Sequence, residues 1–186
     1  MLDKSIPYAD ILMYRPKYAE LRQIPLPDGF RFSFFKAGDE KAWAQIEASV
    51  LEFDDEIDAL LYFQREFLPY LPELMRRCMF VETADGEKVA TCTAWWDYTL
   101  TRRDPWLYWF AVKPQYQGKG LGKALAAEII RLMLEIEGDR DLFLHTQTWS
   151  HKAVKIYESL GYQIIDPTSE SMQKAMAILN KVYKSS

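Results

Sequence analysis

The sequence contains few of the residues that form disulfide-rich, metal-binding or membrane-spanning proteins. Its 186 residues include two cysteines and two histidines. Cys92 falls inside a predicted strand and Cys78 directly at the start of another, which favours reduced core thiols over a disulfide. The histidines and acids lack the spacing of metal ligands, so we expect no metal site. No apolar stretch reaches the roughly twenty residues that span a bilayer, and no signal-peptide pattern opens the chain. We therefore expect a cytoplasmic protein that does not bind membranes.

An excess of positive charge is also lacking. The 23 Lys and Arg residues against 27 Asp and Glu residues give a net charge of −4, which argues against nucleic acid as a partner. Hydrophobic residues make up 49% of the chain, and the length suits one domain with a sizeable core. Residues 1–28 are rich in proline and predict an extended arm, followed by a domain over residues 29–186. The arm either packs on the domain or contacts a partner.

The apolar pattern predicts the element order β-α-α-β-β-β-α-β-α-β. We predict strands over 30–35, 79–83, 89–96, 106–112, 142–147 and 162–166, and helices after Asp39, after Asp54, from Leu121 to Glu137 and over 151–160. In the first helix, Trp43, Ile46 and Val50 mark the buried face. Pro69 and Pro72 are expected to end the second helix. This order predicts a mixed α/β fold, an α+β arrangement with helices on the faces of one mixed sheet.

Three glycines lie between the predicted strand over 106–112 and the long helix. They are Gly118, Gly120 and Gly122. Glycine allows backbone amides to approach a ligand, and a helix N-terminus carries unpaired N–H groups with a partial positive charge. The combination predicts an anion site, most often for phosphate.

Two common phosphate motifs do not fit this spacing. A Walker A loop has four residues between its first glycine and Gly-Lys-[Ser/Thr], whereas three separate Gly118 from Gly122 and an alanine follows Lys123. A dinucleotide fingerprint reads G-x-G-x-x-G, and the last interval here is one residue too short. The loop therefore belongs to another class of phosphate site.

The spacing [Gln/Arg]-x-x-Gly-x-[Gly/Ala] is filled by Gln117, Gly120 and Gly122, with a Val-x-Pro shortly before it. This loop resembles the acetyl-CoA pyrophosphate loop of the GNAT acetyltransferase superfamily. Residues 150–162, SHKAVKIYESLGY, resemble the family's Asn-x-x-Ala-x-x-x-Tyr-x-x-x-Gly-[Phe/Tyr] segment. Ser150 departs from the usual Asn. The two motifs together indicate a GNAT-like fold with a mostly antiparallel mixed sheet, and the resemblance covers about residues 77–166.

The resemblance implies an N-acetyltransferase that moves an acetyl group from acetyl-CoA directly to a primary amine in a ternary complex. In the family, the cofactor lies where the fourth and fifth predicted strands separate, and the backbone polarises the thioester. The residues that the resemblance assigns to the cofactor are Phe110, Ala111, Val112, Gln117, Gly118, Lys119, Gly120, Leu121, Gly122, Lys123 and Ser150. A non-catalytic acyl-CoA sensor and an interaction domain are the alternatives.

Tyr157 matches the family tyrosine whose phenol protonates the departing thiolate; as an alternative, it is a core aromatic residue. The general base is not identified by the sequence. His145 and Asp97 are candidates, and His145 has a suitable ordinary pKa, although it also fits a structural role. The acid run over 52–58 either attracts a cationic acceptor or caps a helix.

The C-terminal segment is ambiguous. Its apolar residues suit a helical period, but the family resemblance predicts a last strand over 174–183, and we favour the strand. The acceptor is a small-molecule or peptide amine, and neither its identity nor the acyl chain follows from the sequence. Relatives often form dimers, so a homodimer is compatible with the extended arm.

Overall fold

The computed structural model describes residues 2–21 and 23–185. Its strands are β1 (Asp10–Arg15), β2 (Phe30–Phe34), β3 (Cys78–Thr83), β4 (Lys88–Thr99), β5 (Arg102–Val112), β6 (Leu142–Gln147) and β7 (Gln163–Ile164). Its helices are α1 (Glu40–Ser49), α2 (Glu56–Glu66), α3 (Leu71–Arg77), α4 (Leu121–Glu137), α5 (His151–Ser159) and α6 (Glu170–Ser185). Short 3-10 turns lie at Leu68–Tyr70, Pro114–Tyr116 and Thr148–Ser150.

Over the described ranges, one seven-stranded sheet runs in the order β2-β3-β4-β5-β6-β1-β7. Its neighbours are antiparallel except for β5 and β6, which are parallel. The predicted mixed, mostly antiparallel sheet is therefore confirmed. None of the helices in the described ranges has both the length and the apolar character needed to cross a bilayer.

Helices cover both faces of the sheet. On one face, the first three helices bury Trp43, Phe63 and Leu74 against Phe80 and Trp95. On the other, α4, α5 and α6 bury a second set of apolar residues against the strands; this set includes Met13, Val81, Leu125, Ile129, Tyr157 and Leu179. The long helix ends at Gly138, as predicted, where φ is 76°.

The predicted N-terminal arm supplies a strand to the sheet. β1 pairs with β6 along its whole length, from Asp10 opposite Gln147 to Arg15 opposite Leu142. Arg15 is fully buried, and its Nε donates to the Leu160 carbonyl at 2.9 Å, at the end of α5. Nearer the start, Leu2 N donates to the Val50 carbonyl at 3.0 Å. The arm thus packs on the domain; the division of the chain at residue 28 stays a prediction.

The expected final strand over 174–183 is wrong, because this segment lies within α6. Met172, Ala175 and Leu179 recur at helical spacing and are buried. The family pattern fails at this point because β1 already occupies the place between β6 and β7. With the position between β6 and β7 filled by β1, the apolar period of the segment determines its structure.

The third helix was not expected from the sequence. Pro69 and Pro72 do lie beyond α2, but Pro72 occupies the first turn of α3. Proline is tolerated there because the first N–H groups of a helix have no intrahelical partner. The prolines therefore lie between α2 and the first turn of α3: Pro69 is in the 3-10 turn, and Pro72 is in α3 itself.

Glu82 on β3 joins three neighbouring strands through its carboxylate. It accepts hydrogen bonds from Ser33 Oγ at 2.7 Å and Arg31 Nε at 3.0 Å, and it pairs with Lys88 Nζ at 2.9 Å. Burial alone raises the pKa of Glu82, but hydrogen bonds from Ser33, Lys88 and Arg31 outweigh it and lower the pKa to about 2. The folded state therefore holds this carboxylate in its ionised form.

We expect Glu82→Gln to lower the free energy of unfolding near neutral pH by about 1–3 kcal/mol, because it weakens charge-assisted hydrogen bonds. The folded-state pKa lies below the ordinary value of 4.5, so this contribution is complete above that value and is lost as the pH falls toward 2. Urea unfolding at about pH 7 and pH 3 measures the difference. Glu158→Gln, at an exposed position, is the control. If Glu82→Gln lowered the free energy of unfolding equally at both pH values, the low pKa assigned to Glu82 would be wrong.

Candidate active site

The sheet opens between β5 and β6. In the part of the chain that the structure describes, these strands pair at two positions, Trp106 with Phe143 and Leu107 with Leu144, and then diverge. Beyond Leu107, the β5 backbone presents N–H and C=O groups to the gap rather than to β6. A ligand that carries amide groups can pair with such an edge.

A bulge bends β5 at this gap. Between two paired positions, β4 advances by two residues (91 to 93) while β5 advances by three (108 to 111). Trp109 in the bulge has a φ of 51°, in the left-handed region that bulky residues rarely adopt. Its ring centroid lies 4.9 Å from that of Tyr62 and 5.2 Å from that of Phe53. Packing of the ring holds the strained backbone, and strain of this kind clusters at functional sites.

The glycine loop joins β5 to α4. Gly118 and Gly120 have φ values of 77° and 85°, so the backbone path favours glycine at both positions. Gly120 is the N-cap of α4, and its carbonyl accepts a hydrogen bond from Ala124 N at 3.2 Å. The amides of residues 121–123 precede this bond, so they face outward at the positive end of the helix dipole. This arrangement can bind a phosphate group.

Two contacts fix the loop against the end of β5. Gln117 Nε2 donates to the Val112 carbonyl at 2.8 Å. Gly122 lies so close to β5 that a Cβ atom there would come within 3.0 Å of Phe110 Cζ. The last glycine of the loop therefore serves close packing, whereas Gly118 and Gly120 serve backbone conformation.

A cavity of about 270 Å³ lies between this loop, the end of β5 and the start of α5, and we name it the glycine-loop cavity. The residues predicted to bind the cofactor that line it are Phe110, Ala111, Val112, Gln117, Gly118, Gly120, Leu121, Gly122, Lys123 and Ser150. Lys119 does not line it; its ammonium lies 5.0 Å from the ring centroid of Tyr116. The structure thus brings together all but one of these predicted residues.

A second cavity of about 270 Å³, the carboxylate cavity, borders β5 over residues 107–110, whereas the glycine-loop cavity borders residues 110–112. Its lining includes Glu47, Glu52, His145 and Tyr157, together with several aromatic rings. The two cavities adjoin, because the residues Glu52, Phe110, Ser150 and Ala153 line both of them. Two molecules bound in the two cavities would therefore meet beside the unpaired edge of β5.

Tyr157 enters the carboxylate cavity from α5 and is 5% exposed. Its ring centroid lies 5.7 Å from that of Phe110 and 5.9 Å from that of Tyr162. Burial raises the pKa of the Tyr157 phenol well above its ordinary value of 10.0. The phenol therefore carries its proton at neutral pH, and the ring also packs in the core as the alternative interpretation expected.

His145 lies at the exposed side of the same cavity. Its Nε2 is 3.0 Å from Asp10 Oδ1, which also accepts a hydrogen bond from the Tyr8 hydroxyl at 2.6 Å. Asp97, the other candidate base, does not line either cavity and instead accepts a hydrogen bond from the Tyr108 hydroxyl at 3.1 Å. Of these two candidates, the structure places His145 at the site.

The acid run over 52–58 divides between two roles. Asp55 is the N-cap of α2, and its Oδ1 accepts hydrogen bonds from Ile57 N at 2.8 Å and Asp58 N at 2.9 Å. Glu52 instead reaches both cavities, and its Oε1 accepts from Gln147 Nε2 at 3.3 Å. Burial by the surrounding chain raises the pKa of Glu52, although its side chain remains accessible from the cavities.

Glu47 is a site residue that our reading of the sequence missed. It lies on the buried face of α1, is 1% exposed, and its Oε1 has no hydrogen-bond partner within the described chain. Burial, and then the charge of Glu52, raise the pKa of Glu47 well above its ordinary value of 4.5. A signal was present, because Glu47 follows Trp43 by four residues and precedes Val50 by three, which places an acid on an apolar helix face.

Among the described residues, no group of three or more His, Cys, Asp or Glu side chains is arranged to hold a metal ion.

Acetyltransferases from other organisms are similar to this chain in sequence. Mycothiol acetyltransferases from Streptomyces avermitilis and Streptomyces coelicolor are each 28% identical to this chain over 144 residues, which is 77% of this chain and 46% of theirs. The chain therefore spans about half the length of these curated relatives.

Solved structures share the fold. A GCN5-related N-acetyltransferase from Sphaerobacter thermophilus matches 86% of this chain and 49% of its own, with a TM-score of 0.66 and 19% identity. A GNAT-family acetyltransferase from Colwellia psychrerythraea matches 85% of this chain and 54% of its own, with a TM-score of 0.63 and 14% identity.

A sequence model described as the Acetyltransferase (GNAT) family matches residues 41–162, which include the bulged strand, the glycine loop and α5. The chain belongs to the GNAT family of acetyltransferases.

Proposed function

We propose that this protein transfers the acetyl group of acetyl-CoA directly to a primary amine while both substrates are bound. The observation that carries the proposal is the pair of adjoining cavities at the open edge of β5. One offers a helix N-terminus to an anion, and the other offers carboxylates and a buried phenol. Bringing two reactants together in this way supplies much of the catalysis of a transfer reaction.

The glycine-loop cavity is the site proposed for acetyl-CoA. The pyrophosphate would accept hydrogen bonds from the amides of the loop and the first turn of α4, and Lys123 at the cavity wall adds positive charge. The pantetheine amides would pair with the exposed β5 backbone at residues 110–112. Ser150, which lines both cavities, lies where the thioester end would reach.

The chemical roles follow from the carboxylate cavity. The Tyr157 phenol, which lines this cavity and carries a proton at neutral pH, would donate that proton to the thiolate that leaves. A β5 amide at the bulge would donate to the thioester carbonyl and stabilise the oxyanion of the tetrahedral intermediate. His145, on the exposed side and paired with Asp10, passes the proton released from the amine to solvent.

The names of the Streptomyces relatives associate them with mycothiol. This chain spans about half of their length, so their names support acetyl transfer and leave its acceptor open. The acceptor has to be inferred from the lining of the carboxylate cavity itself.

We expect Gly120→Glu to weaken acetyl-CoA binding by about tenfold or more, because a side chain at φ of 85° strains the N-cap and adds negative charge at the phosphate site. Isothermal titration of acetyl-CoA into each protein measures the dissociation constant. Gly138→Glu is the matched control: it makes the same change at the other end of α4, at φ of 76°, with open space around the new Cβ. Equal affinity in the two variants would refute the loop as the binding site.

We expect Tyr157→Phe to lower kcat by about tenfold or more while the KM for acetyl-CoA changes little, because the variant retains the ring but has no proton to donate. Release of CoA thiol on addition of amines measures the rate. Tyr162→Phe is the matched control, since Tyr162 is an equally buried neighbour that lines neither cavity. An unchanged kcat in Tyr157→Phe would remove this residue from the mechanism, and binding of acetyl-CoA without any turnover in the wild-type protein would favour a sensor.

A further inference from the structure

We propose that the carboxylate cavity selects an acceptor in which a primary ammonium group is joined to an uncharged, ring-sized body, and that Glu47 binds this ammonium and removes its proton. The inference rests on the proposed acetyl transfer, and it identifies the acceptor class and the group that activates the amine. Neither follows from the glycine loop, which serves the other substrate.

The principal evidence is the burial of Glu47 at the cavity and the lack of a partner for one of its oxygens in the described chain. Its side chain lines the carboxylate cavity, it is 1% exposed, and Oε1 has no partner in the described chain. A buried carboxylate oxygen without a donor is strongly unfavourable, so such groups are normally paired. An ammonium ion supplies three N–H donors and the opposite charge in one group. The missing partner of Glu47 is therefore matched by the reacting end of a primary amine.

The charge of the cavity favours the same ligand. Glu52 lines it beside Glu47, and its lining residues, all in the described chain, include no lysine or arginine. The titratable neighbours at its wall are Tyr62 from α2, Tyr108 from β5, His145 from β6 and Tyr157 from α5, and only the histidine can carry positive charge. An acceptor that carries its own carboxylate would meet two acids at close range, which disfavours amino acids relative to simple amines.

The rest of the lining determines the body of the acceptor. Tyr62, Tyr108, Trp109 and Phe110 contribute aromatic rings, and the volume of about 270 Å³ suits a single ring with a short chain. Aromatic faces also stabilise a nearby cation through their quadrupoles. The cavity thus offers carboxylates to the ammonium and ring surface to an apolar group.

The proposed step is balanced in atoms and charge. The ammonium gives one proton to the Glu47 carboxylate, and the nitrogen lone pair forms the C–N bond at the thioester carbonyl carbon. As the intermediate collapses, the C–S bond breaks and its electron pair leaves with sulfur. Tyr157 protonates the thiolate and recovers a proton from the new amide nitrogen. His145, at the exposed side of the same cavity, passes the proton on Glu47 to solvent, so the products are the amide, CoA thiol and one proton.

Burial also prepares Glu47 for this role. It raises the pKa of the carboxyl well above 4.5, as does the nearby charge of Glu52. A carboxylate with a raised pKa is a stronger base than an exposed one, and general bases work best when their pKa lies near the working pH.

The acceptor class is tested by a matched pair of amines, 2-phenylethylamine and phenylalanine, which differ by one carboxylate. We expect the wild-type protein to use 2-phenylethylamine with a kcat/KM higher by about tenfold or more. A preference for phenylalanine, or equal use of the two, would overturn the acceptor class. Acetyl-CoA binding is measured in parallel. Absent binding would overturn the proposed function together with this inference, whereas binding with no transfer to either amine would overturn the inference alone.

The role of Glu47 is tested with Glu47→Gln, which retains the shape of the side chain and removes its charge. We expect kcat/KM for 2-phenylethylamine to fall by about a hundredfold or more, within the range of a lost general base, while the dissociation constant of acetyl-CoA stays within about twofold. Glu158→Gln, which removes an exposed charge on α5, is the control and should keep its activity. A fall of less than about threefold in Glu47→Gln would overturn the assignment, and so would a parallel loss of acetyl-CoA binding.

Discussion

The divergence of β5 from β6 is the constraint on which the rest of the site depends. In the described chain, the two parallel strands pair at Trp106 and Leu107, which keeps the sheet continuous. Beyond Leu107, the edge of β5 that faces β6 is unpaired. The glycine-loop cavity and the carboxylate cavity both border that edge, and they share lining residues there. Had the strands stayed paired to the end of β5, the backbone amides would be satisfied within the sheet and the two cavities would be separated.

The elements around the gap maintain it by different means. On one side, the aromatic packing of Trp109 holds the bulge in a conformation that an isolated chain would avoid. On the other, Gly122 allows α4 to start directly against β5, with no room for a side chain. Strain at Trp109, close packing at Gly122 and the unpartnered oxygen of Glu47 therefore all occur at the walls of two adjoining cavities. Such local departures from the rules of stable folding are expected where binding and chemistry occur.

The sequence predicted those parts of the structure whose signal is local. The strand, glycine loop and long helix over 106–137 follow from apolar periodicity and from glycine spacing, and they occur as expected. The C-terminal helix was not predicted, because the strand of the family pattern was preferred to the helical spacing of the apolar residues in this segment. The pairing of β1 with β6 joins distant segments, and no local pattern reveals such a contact. Glu47 was not predicted because the apolar residues alone defined the buried face of α1, although the sequence places an acid at the spacing of that face.

The placement of β1 also has a consequence for how the chain folds. Asp10 meets His145 across a separation of 135 residues, and β1 lies between two strands from the C-terminal half. A contact of this range closes a very long loop, and long-range strand pairing slows folding. During synthesis, β1 leaves the ribosome before its partners β6 and β7, so its apolar face stays exposed in the interval. Completion of the sheet, rather than formation of the helices, is therefore expected to limit the folding rate of this protein.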